Sequence, residues 1–406
     1  MNEPLNRQEN LENGFSEPEI EFIQKHKHEN AGQLILKAGQ FKGFDVKKLA
    51  AQILSRQKAV KKLREWYANT KLIFPSALSV EQCSSEATAK YKASLVSGQQ
   101  LTDITGGMGV DIYYMSRNFA SADYYEQQQE VAKTAWFNFQ KLGADHITVH
   151  SGDSLEALRN NAKPSDWIYT DPARRDANKD KVVLLSDCTP DIPSNLSLLF
   201  QNAPKVLVKT SPLLDIELAA KELTNLTEVH TVGYEQECKE LLFVLDRNTS
   251  GGDFKIKIRV VDAAGDILHQ LDFDRETERN AIATYSDPLS YLYEPHAAVL
   301  KAGAFKSICS IYDVNKLAVN SQLYTSNEPV AGFPGRSFKI IAICKPDMKE
   351  ITKYINGDKA NLTTRNFPAK PEELRKKWKL KEGGDFYLFA TTLSDNSKAV
   401  IVTAKY

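Results

Sequence analysis

The sequence is poor in the residues that would fix its class directly. Its five cysteines, Cys83, Cys188, Cys238, Cys309 and Cys344, lie far apart, with no CxxC pair and no histidine at zinc-finger spacing. That pattern argues against a disulfide scaffold or a Cys/His zinc module, and reduced, mostly buried thiols are expected. The seven histidines, His26 and His28 among them, have no partner at ligand spacing, so no metal is expected. No apolar run approaches the roughly 20 residues of a membrane span. The opening MNEPLNRQEN lacks the basic-then-apolar order of a secretory signal, and a cytoplasmic location is expected. Internal repeats are also missing. The net charge is zero, 52 basic side chains against 52 acidic ones, so no field of one sign covers the whole molecule.

What is present is 406 residues with 42% hydrophobic and 26% charged content, enough for several domains that each bury a core. Charge is patterned locally. Lys37 to Arg64 holds nine basic residues and one acid, and Ala331 to Tyr406 holds fifteen basic residues and eight acids, a balance that favours a polyanionic partner. Asp45 is a good N-cap, after which Val46, Leu49, Ala50, Ile53, Leu54, Val60, Leu63 and Tyr67 fall at helical spacing. This predicts one long amphipathic helix with Lys47, Lys48, Lys58, Lys61 and Lys62 on its outer face, within a helical domain over 1–75.

From Leu101 the pattern changes to short apolar runs alternating with helical stretches. LTDIT, ADYYE, ITVHS, DWIYT, KVLVK, EVHTV and LLFVL predict seven strands of a doubly wound, Rossmann-like α/β sheet over 76–250, whose ligands sit beyond the carboxyl ends of the strands. After the linker NTSGGD, FKIKIRVVD and ILHQLDF read as a β-hairpin and EPHAAVLKAGAF as a helix, in a small unit over 254–330. A compact unit in the order βαβαββ is expected over 331–406.

The first strand runs into LTDITGGMGVD, where Asp103 stands at the strand end and Gly106, Gly107 and Gly109 form a tight turn opening a helix. Glu126 ends the second run, where an acid can accept two hydrogen bonds from ribose hydroxyls. Asp153 ends the third, placed to face an adenine amino group, and Asp171 ends the fourth. Four acids at the ends of four successive strands converge on one crevice. GGMG lacks the full GxGxxG spacing of a dinucleotide dehydrogenase, and nothing replaces it as a phosphate cradle.

The order DITGGMGVD, YYEQ, GDS, DPARR resembles class I S-adenosylmethionine-dependent methyltransferases. More narrowly, LSVEQCSSEATAKYKA, DPARRD, VKTSPLLDI, ECKELL and NLTTRNFP resemble a bacterial family of methyltransferases with a C-terminal THUMP-like domain, over nearly the whole chain from about residue 45. The resemblance implies a seven-stranded catalytic domain followed by small ferredoxin-like and THUMP-like α+β domains. It implies S-adenosyl-L-methionine as cofactor, held by Asp103, Thr105, Gly106, Gly107, Gly109, Glu126, Asp153 and Asp171. Because THUMP domains bind RNA in other enzymes, it also implies an RNA substrate, ribosomal or transfer RNA.

Three acceptor classes can be set against the residues present. Methylation at pyrimidine C5 needs a cysteine nucleophile beyond the fourth or fifth strand, and DPARR and VKTSP contain none. Methylation of an exocyclic amine commonly follows Asp-Pro-Pro-aromatic, but Ala173 and Arg174 stand where the second proline and the ring would be. Pro172, Arg174 and Arg175 are then candidate substrate contacts, the arginines guiding a phosphate or stacking on a base. Ribose 2′-hydroxyl methylation uses a Lys-Asp-Lys-Glu set, for which Lys92, Asp171, Lys209 and Glu240 are available near the matching elements. A lysine whose pKa is lowered by its surroundings would take the hydroxyl proton. Two other functions stay open: an RNA-binding or assembly protein with a vestigial cofactor pocket, and a protein or small-molecule methyltransferase.

Overall fold

The computed structural model describes residues 14–160, 163–174, 184–249 and 251–406. Six helices open it: α1 (Glu17–His26), α2 (Ala31–Leu36), α3 (Val46–Ala59), α4 (Arg64–Ala68), α5 (Ala77–Gln82) and α6 (Glu86–Ala93). Asp45 caps α3 as expected, accepting from Lys48 N at 3.1 Å. The expected single helix from Val46 to Tyr67 is instead two, α3 and α4, and buried polar side chains hold the chain beyond the break. Arg56, buried on α3, donates to the carbonyls of Tyr67 (3.1 Å), Asn69 (2.9 Å), Thr70 (2.9 Å) and Leu72 (3.1 Å). Burial lowers its pKa to about 10. Glu86, buried on α6, accepts from the N–H groups of Glu65 (3.1 Å) and Trp66 (3.0 Å) and so caps the restarted helix. The expected basic outer face is partly used up: Lys58 pairs with Glu81 at 2.7 Å, and Lys62 donates to the carbonyls of Val80 and Glu81.

The chain then alternates: β1 (Gly98–Asp103), α7 (Val110–Met115), β2 (Phe119–Glu126), α8 (Gln129–Lys141), β3 (Ile147–Ser151), α9 (Ser154–Arg159), β4 (Trp167–Thr170), the short β5 (Ala173–Arg174) and β6 (Cys188–Thr189), α10 (Ile192–Asn202), β7 (Lys205–Thr210), α11 (Ile216–Glu222), β8 (Leu226–Tyr234) and β9 (Glu237–Asp246). All seven expected strands are present. They lie in the order β3-β2-β1-β4-β7-β9-β8, with β9 antiparallel to β7 and the pairs among β1, β2, β3, β4 and β7 parallel. The order reverses at β1/β4, which leaves a crevice at the carboxyl ends there. The hairpin β10 (Lys255–Val261) and β11 (Ile267–Phe273), expected to open a separate domain at 254, continues this sheet beyond β8 to make nine strands.

Two compact units result. The first takes the chain up to Val229 with Lys239–Phe254 and Val261–Ile267; the second takes His230–Cys238, Lys255–Val260 and Leu268–Tyr406. In the second, α12 (Arg275–Asn280), β12 (Tyr291–Pro295), α13 (Ala297–Ala302), α14 (Ser307–Tyr312), β13 (Asn315–Lys316) and β14 (Tyr324–Ser326) precede β15 (Gly335–Cys344), α15 (Met348–Ile351), β16 (Asn361–Arg365), α16 (Pro371–Trp378), β17 (Phe386–Thr392) and β18 (Lys398–Lys405). From Gly335 onward this is the expected βαβαββ order. EPHAAVLKAGAF is helical only from Ala297, since Glu294 and Pro295 finish β12 and His296 Nδ1 caps the helix by accepting from Ala298 N at 3.1 Å. The seven strands form one sheet, β13-β14-β12-β15-β18-β17-β16. Alternation along β17 and β18 buries both faces: Leu388, Val400 and Val402 pack with Leu374 and Trp378, whereas Phe389 and Ile401 pack with Leu292, Leu323 and Phe338.

Candidate active site

The first unit places the glycine loop between β1 and α7. Gly106 is forced by packing, since a Cβ there would lie 2.3 Å from the Tyr124 ring, and Gly109 sits at φ +81° with Phe139 2.5 Å from its would-be Cβ. Gly107, at φ +56°, is open instead: a Cβ would meet nothing closer than the Thr105 carbonyl at 3.8 Å. Asp103 is buried and Oδ1 accepts from Thr105 N at 2.9 Å. Burial drives its carboxyl well above the usual range, the nearby Asp111 and Asp171 adding to the shift against the Thr105 bond. Thr105 Oγ1 in turn accepts from Asp171 N at 2.6 Å, which ties the loop to the DPARR turn.

Glu126 reaches the loop from the end of β2, accepting from Gly107 N (2.9 Å) and Gln128 N (2.8 Å). Each of its oxygens keeps a second lone pair, so capacity for two ribose hydroxyls remains. Asp153 stands beyond β3, where Oδ1 caps α9 by accepting from Leu155 N (2.8 Å) and Glu156 N (3.1 Å). An open glycine beside a carboxylate with accepting capacity fits a nucleoside-bearing donor that has no phosphates.

The four residues expected to form a Lys-Asp-Lys-Glu set meet beside this loop. Lys92, fully buried, extends from α6 and donates to both carboxylate oxygens of Glu240 on β9, at 2.6 and 2.7 Å, and to Ser84 Oγ at 3.1 Å. Lys209, near the end of β7, is ion-paired with Asp171. Asp111, on the first turn of α7, links the two pairs. It lies 3.1 Å from Lys92 Nζ and accepts from Ser84 Oγ (2.7 Å) and Tyr169 Oη (2.6 Å). Against the cost of burial, Lys92 and Lys209 hold its carboxyl below the usual range. Burial pushes Glu240 up against the pull of the same two ammoniums.

Lys209 departs from the expected lowered pKa. Burial alone would lower it, but the carboxylates of Asp171, Asp111 and Glu240 outweigh that cost and raise it above the ordinary lysine value. It is an ammonium and not a free base. Sequence reasoning also passed over Cys83, which lies among these charges. Burial pushes its thiol up to about 11, and Sγ donates to Val80 O at 3.2 Å, so it carries no thiolate for C5 chemistry. Asp111 was legible only as an acid two residues past Gly109. Pro172 is buried in the turn; Arg174 contributes backbone pairing to Cys188, its side chain and all of Arg175 lying outside the described residues.

A parallel sheet with one reversed strand, a glycine loop after β1 and acids at the ends of β2, β3 and β4 define a class I methyltransferase fold. At the C-terminus, residues 291–334 match the model of a ferredoxin-like domain and residues 335–405 that of a THUMP domain-like family. The chain is 30% identical to the "putative methyltransferase from Porphyromonas gingivalis W83", with a TM-score of 0.82 over 96% of this chain and 99% of that one. It belongs to that family, class I methyltransferases carrying a C-terminal THUMP-like domain. Partial likenesses exist to an rRNA methylase from Streptococcus thermophilus (13% identity, TM-score 0.29, 39% of this chain and 93% of that one) and to a "predicted O-methyltransferase" from Agrobacterium tumefaciens (15%, 0.31, 45% and 87%). Both are too partial to bear on function. No curated protein matches the sequence significantly.

Proposed function

We propose that the protein is an S-adenosylmethionine-dependent methyltransferase acting on RNA, and that its acceptor is a ribose 2′-hydroxyl. The observation that carries this reading is the Lys209 ammonium, held charged beside Asp171 at the mouth of the glycine loop. When bound, S-adenosylmethionine supplies a methyl group already activated by a sulfonium. The chain's residues must therefore orient an acceptor and receive one proton. Asp171, about a third exposed, accepts the hydrogen bond of the incoming hydroxyl and takes its proton. Lys209 fixes that carboxylate and stabilises the oxyanion that develops as the proton leaves. An amine acceptor would instead build positive charge next to an ammonium, which disfavours base methylation. Lys92, Glu240, Asp111 and Ser84 form a buried cluster whose carboxylates help hold Lys209 charged. Glu126 and Asp153 are assigned to the donor's ribose and adenine, Gly106, Gly107 and Gly109 to its close approach, and Asp103 and Thr105 to the shape of the loop.

RNA is favoured by the THUMP-like module and by the excess of basic residues after Ala331. The test has two stages. Calorimetric titration with S-adenosylmethionine reads donor binding, and its failure at millimolar donor would leave the RNA-binding alternative. Incubation with labelled donor and total RNA, followed by nucleoside mass spectrometry, should then give a 2′-O-methylnucleoside. A base-methylated product would overturn the ribose assignment while keeping the enzyme.

A further inference from the structure

The second unit holds a cavity of about 190 Å³ lined by Gln236, Glu294, Pro295, Arg336, Thr363 and Arg365, together with Ala297. Its construction is unusual for a sheet. In the order β12-β15-β18-β17-β16, Glu294 and Arg365 are four strand spacings apart, ~19 Å in a flat sheet at ~4.8 Å per strand. Yet Arg365 Nη2 lies 2.9 Å from Glu294 Oε1. The sheet therefore curls at this end and nearly closes, helped by the register shift in β15 between Ile340 and Ala342. The cavity is the mouth of the curl, a common place for ligands in closed sheets.

Charge in this mouth is unbalanced. One carboxylate, Glu294, its side chain 5% exposed, serves two guanidiniums: Arg336 through Nε (2.8 Å) and Nη2, and Arg365 through Nη2. Among the described residues no other charged side chain lines the cavity, so one positive charge is left over. Donor capacity is left over as well. The Thr363 hydroxyl and the exposed Gln236 amide also line the cavity. Arg336 is braced from behind by the Phe338 and Tyr387 rings, at 5.4 and 5.7 Å, which keeps its plane fixed. Two guanidiniums anchored by a shared buried carboxylate, with unspent donors facing a small polar space, form a recognition site for a tetrahedral oxyanion.

We infer that the mouth of the curled sheet, built on Glu294, Arg336 and Arg365, binds a phosphate group, either as free phosphate or as the terminal monoester of an oligonucleotide. The inference does not depend on methyl transfer, because every residue it uses belongs to the second unit.

The test uses the full chain. Inorganic phosphate is titrated by calorimetry into the wild type, Arg365→Gln and Thr363→Val, and an RNA oligonucleotide with and without a 5′- or 3′-terminal monophosphate is titrated by fluorescence anisotropy. The wild type should bind phosphate, and Arg365→Gln should weaken it about tenfold or more, the loss of one charge-assisted contact. Thr363→Val leaves the ion pairs intact and should weaken binding by a smaller factor, which covers the case of a poorly folded arginine variant. If free phosphate binds and the oligonucleotide end adds nothing, the ligand is the free ion. If the terminal monophosphate tightens RNA binding and Arg365→Gln removes that gain, it is the RNA end. No phosphate binding by the wild type, or equal binding by all three proteins, overturns the inference, and S-adenosylmethionine binding measured in the same samples shows whether the methyltransferase reading fails separately.

Discussion

Lys209 and Asp111 separate chemistry from scaffolding among the buried charges of the first unit. Replacing Lys209 with alanine frees Asp171, which is partly exposed and can be hydrated. Methyl transfer should therefore fall by a factor of about 10² or more while donor affinity stays within about threefold; single-turnover transfer and calorimetry on the same preparation decide it. A fully active Lys209→Ala enzyme would remove Lys209 from the mechanism. Asp111→Asn acts differently, because Asp111 satisfies Lys92, Ser84 and Tyr169 at once. It should cost about 2 to 3 kcal/mol in urea unfolding at pH 7, the scale of losing one partner in a buried ion pair that keeps another. The folded pKa of Asp111 lies below the ordinary aspartate value of 3.8, so this contribution is complete above that value and disappears as pH falls through the lower one. Asp103 has the opposite sign. Its folded pKa is raised, so its stabilising contribution is complete below 3.8 and is lost as pH climbs from there to the folded value. Asp103→Asn keeps an acceptor for Thr105 N and has no proton to lose. Its stability should be flatter than wild type as pH rises from 3.8, as read by urea midpoints; parallel curves would show that the carboxyl ionises without penalty.

At the scale of elements, the sequence disclosed what hydrophobic burial dictates and hid what single polar side chains dictate. The seven strands stood out because strands of a sheet covered on both faces read as short, mainly apolar runs. Their ends did not. β9 begins at Glu237 where the apolar run begins at Leu241, since backbone pairing continues past the last apolar side chain. The acids at the strand ends, and the lysine and glutamate that meet beside them, were legible because their positions relative to strands were. Asp111 was not, because it reads as an ordinary first-turn acid that complements a helix dipole. The split of the N-terminal helix was hidden for a similar reason. Helical spacing continues past Ala59, but Arg56 gathers four carbonyls from 67–72 and bends the chain back. Arg56→Met keeps much of the side-chain volume and strands those carbonyls. It should destabilise the unit by about 3 kcal/mol or more, given that bonds to a charged donor are worth about 1.5–3 kcal/mol each and are not additive. Limited proteolysis should then cut first between Ala59 and Pro75, and an unchanged cleavage pattern would show that the two helices hold without it.

For the molecule as a whole, the zero net charge and the pairing of its basic residues set how strongly RNA can be held. Of the basic residues after Ala331, Arg336 and Arg365 share Glu294, Arg375 pairs with Glu382 at 2.7 Å and Lys381 with Asp358 at 2.7 Å. In the N-terminal run, Lys58 and Lys62 are also engaged within the protein. With a net charge of zero and Lys58, Lys62, Arg375 and Lys381 engaged within the protein, about three or four phosphate contacts are expected, and not the dense set of a highly basic binder. Counterion release then predicts a slope of log affinity against log salt of about −2 to −3 for single-stranded RNA, using about 0.7 per contact. Between 50 and 200 mM salt the affinity should drop by about 15- to 60-fold. Fluorescence anisotropy at four salt concentrations would measure it. A slope near zero would exclude an RNA backbone and return the acceptor to a protein or small molecule. A slope steeper than about −5 would mean that the internal ion pairs open on binding, so that cations now bound to Glu81, Glu294, Asp358 and Glu382 contact phosphate instead.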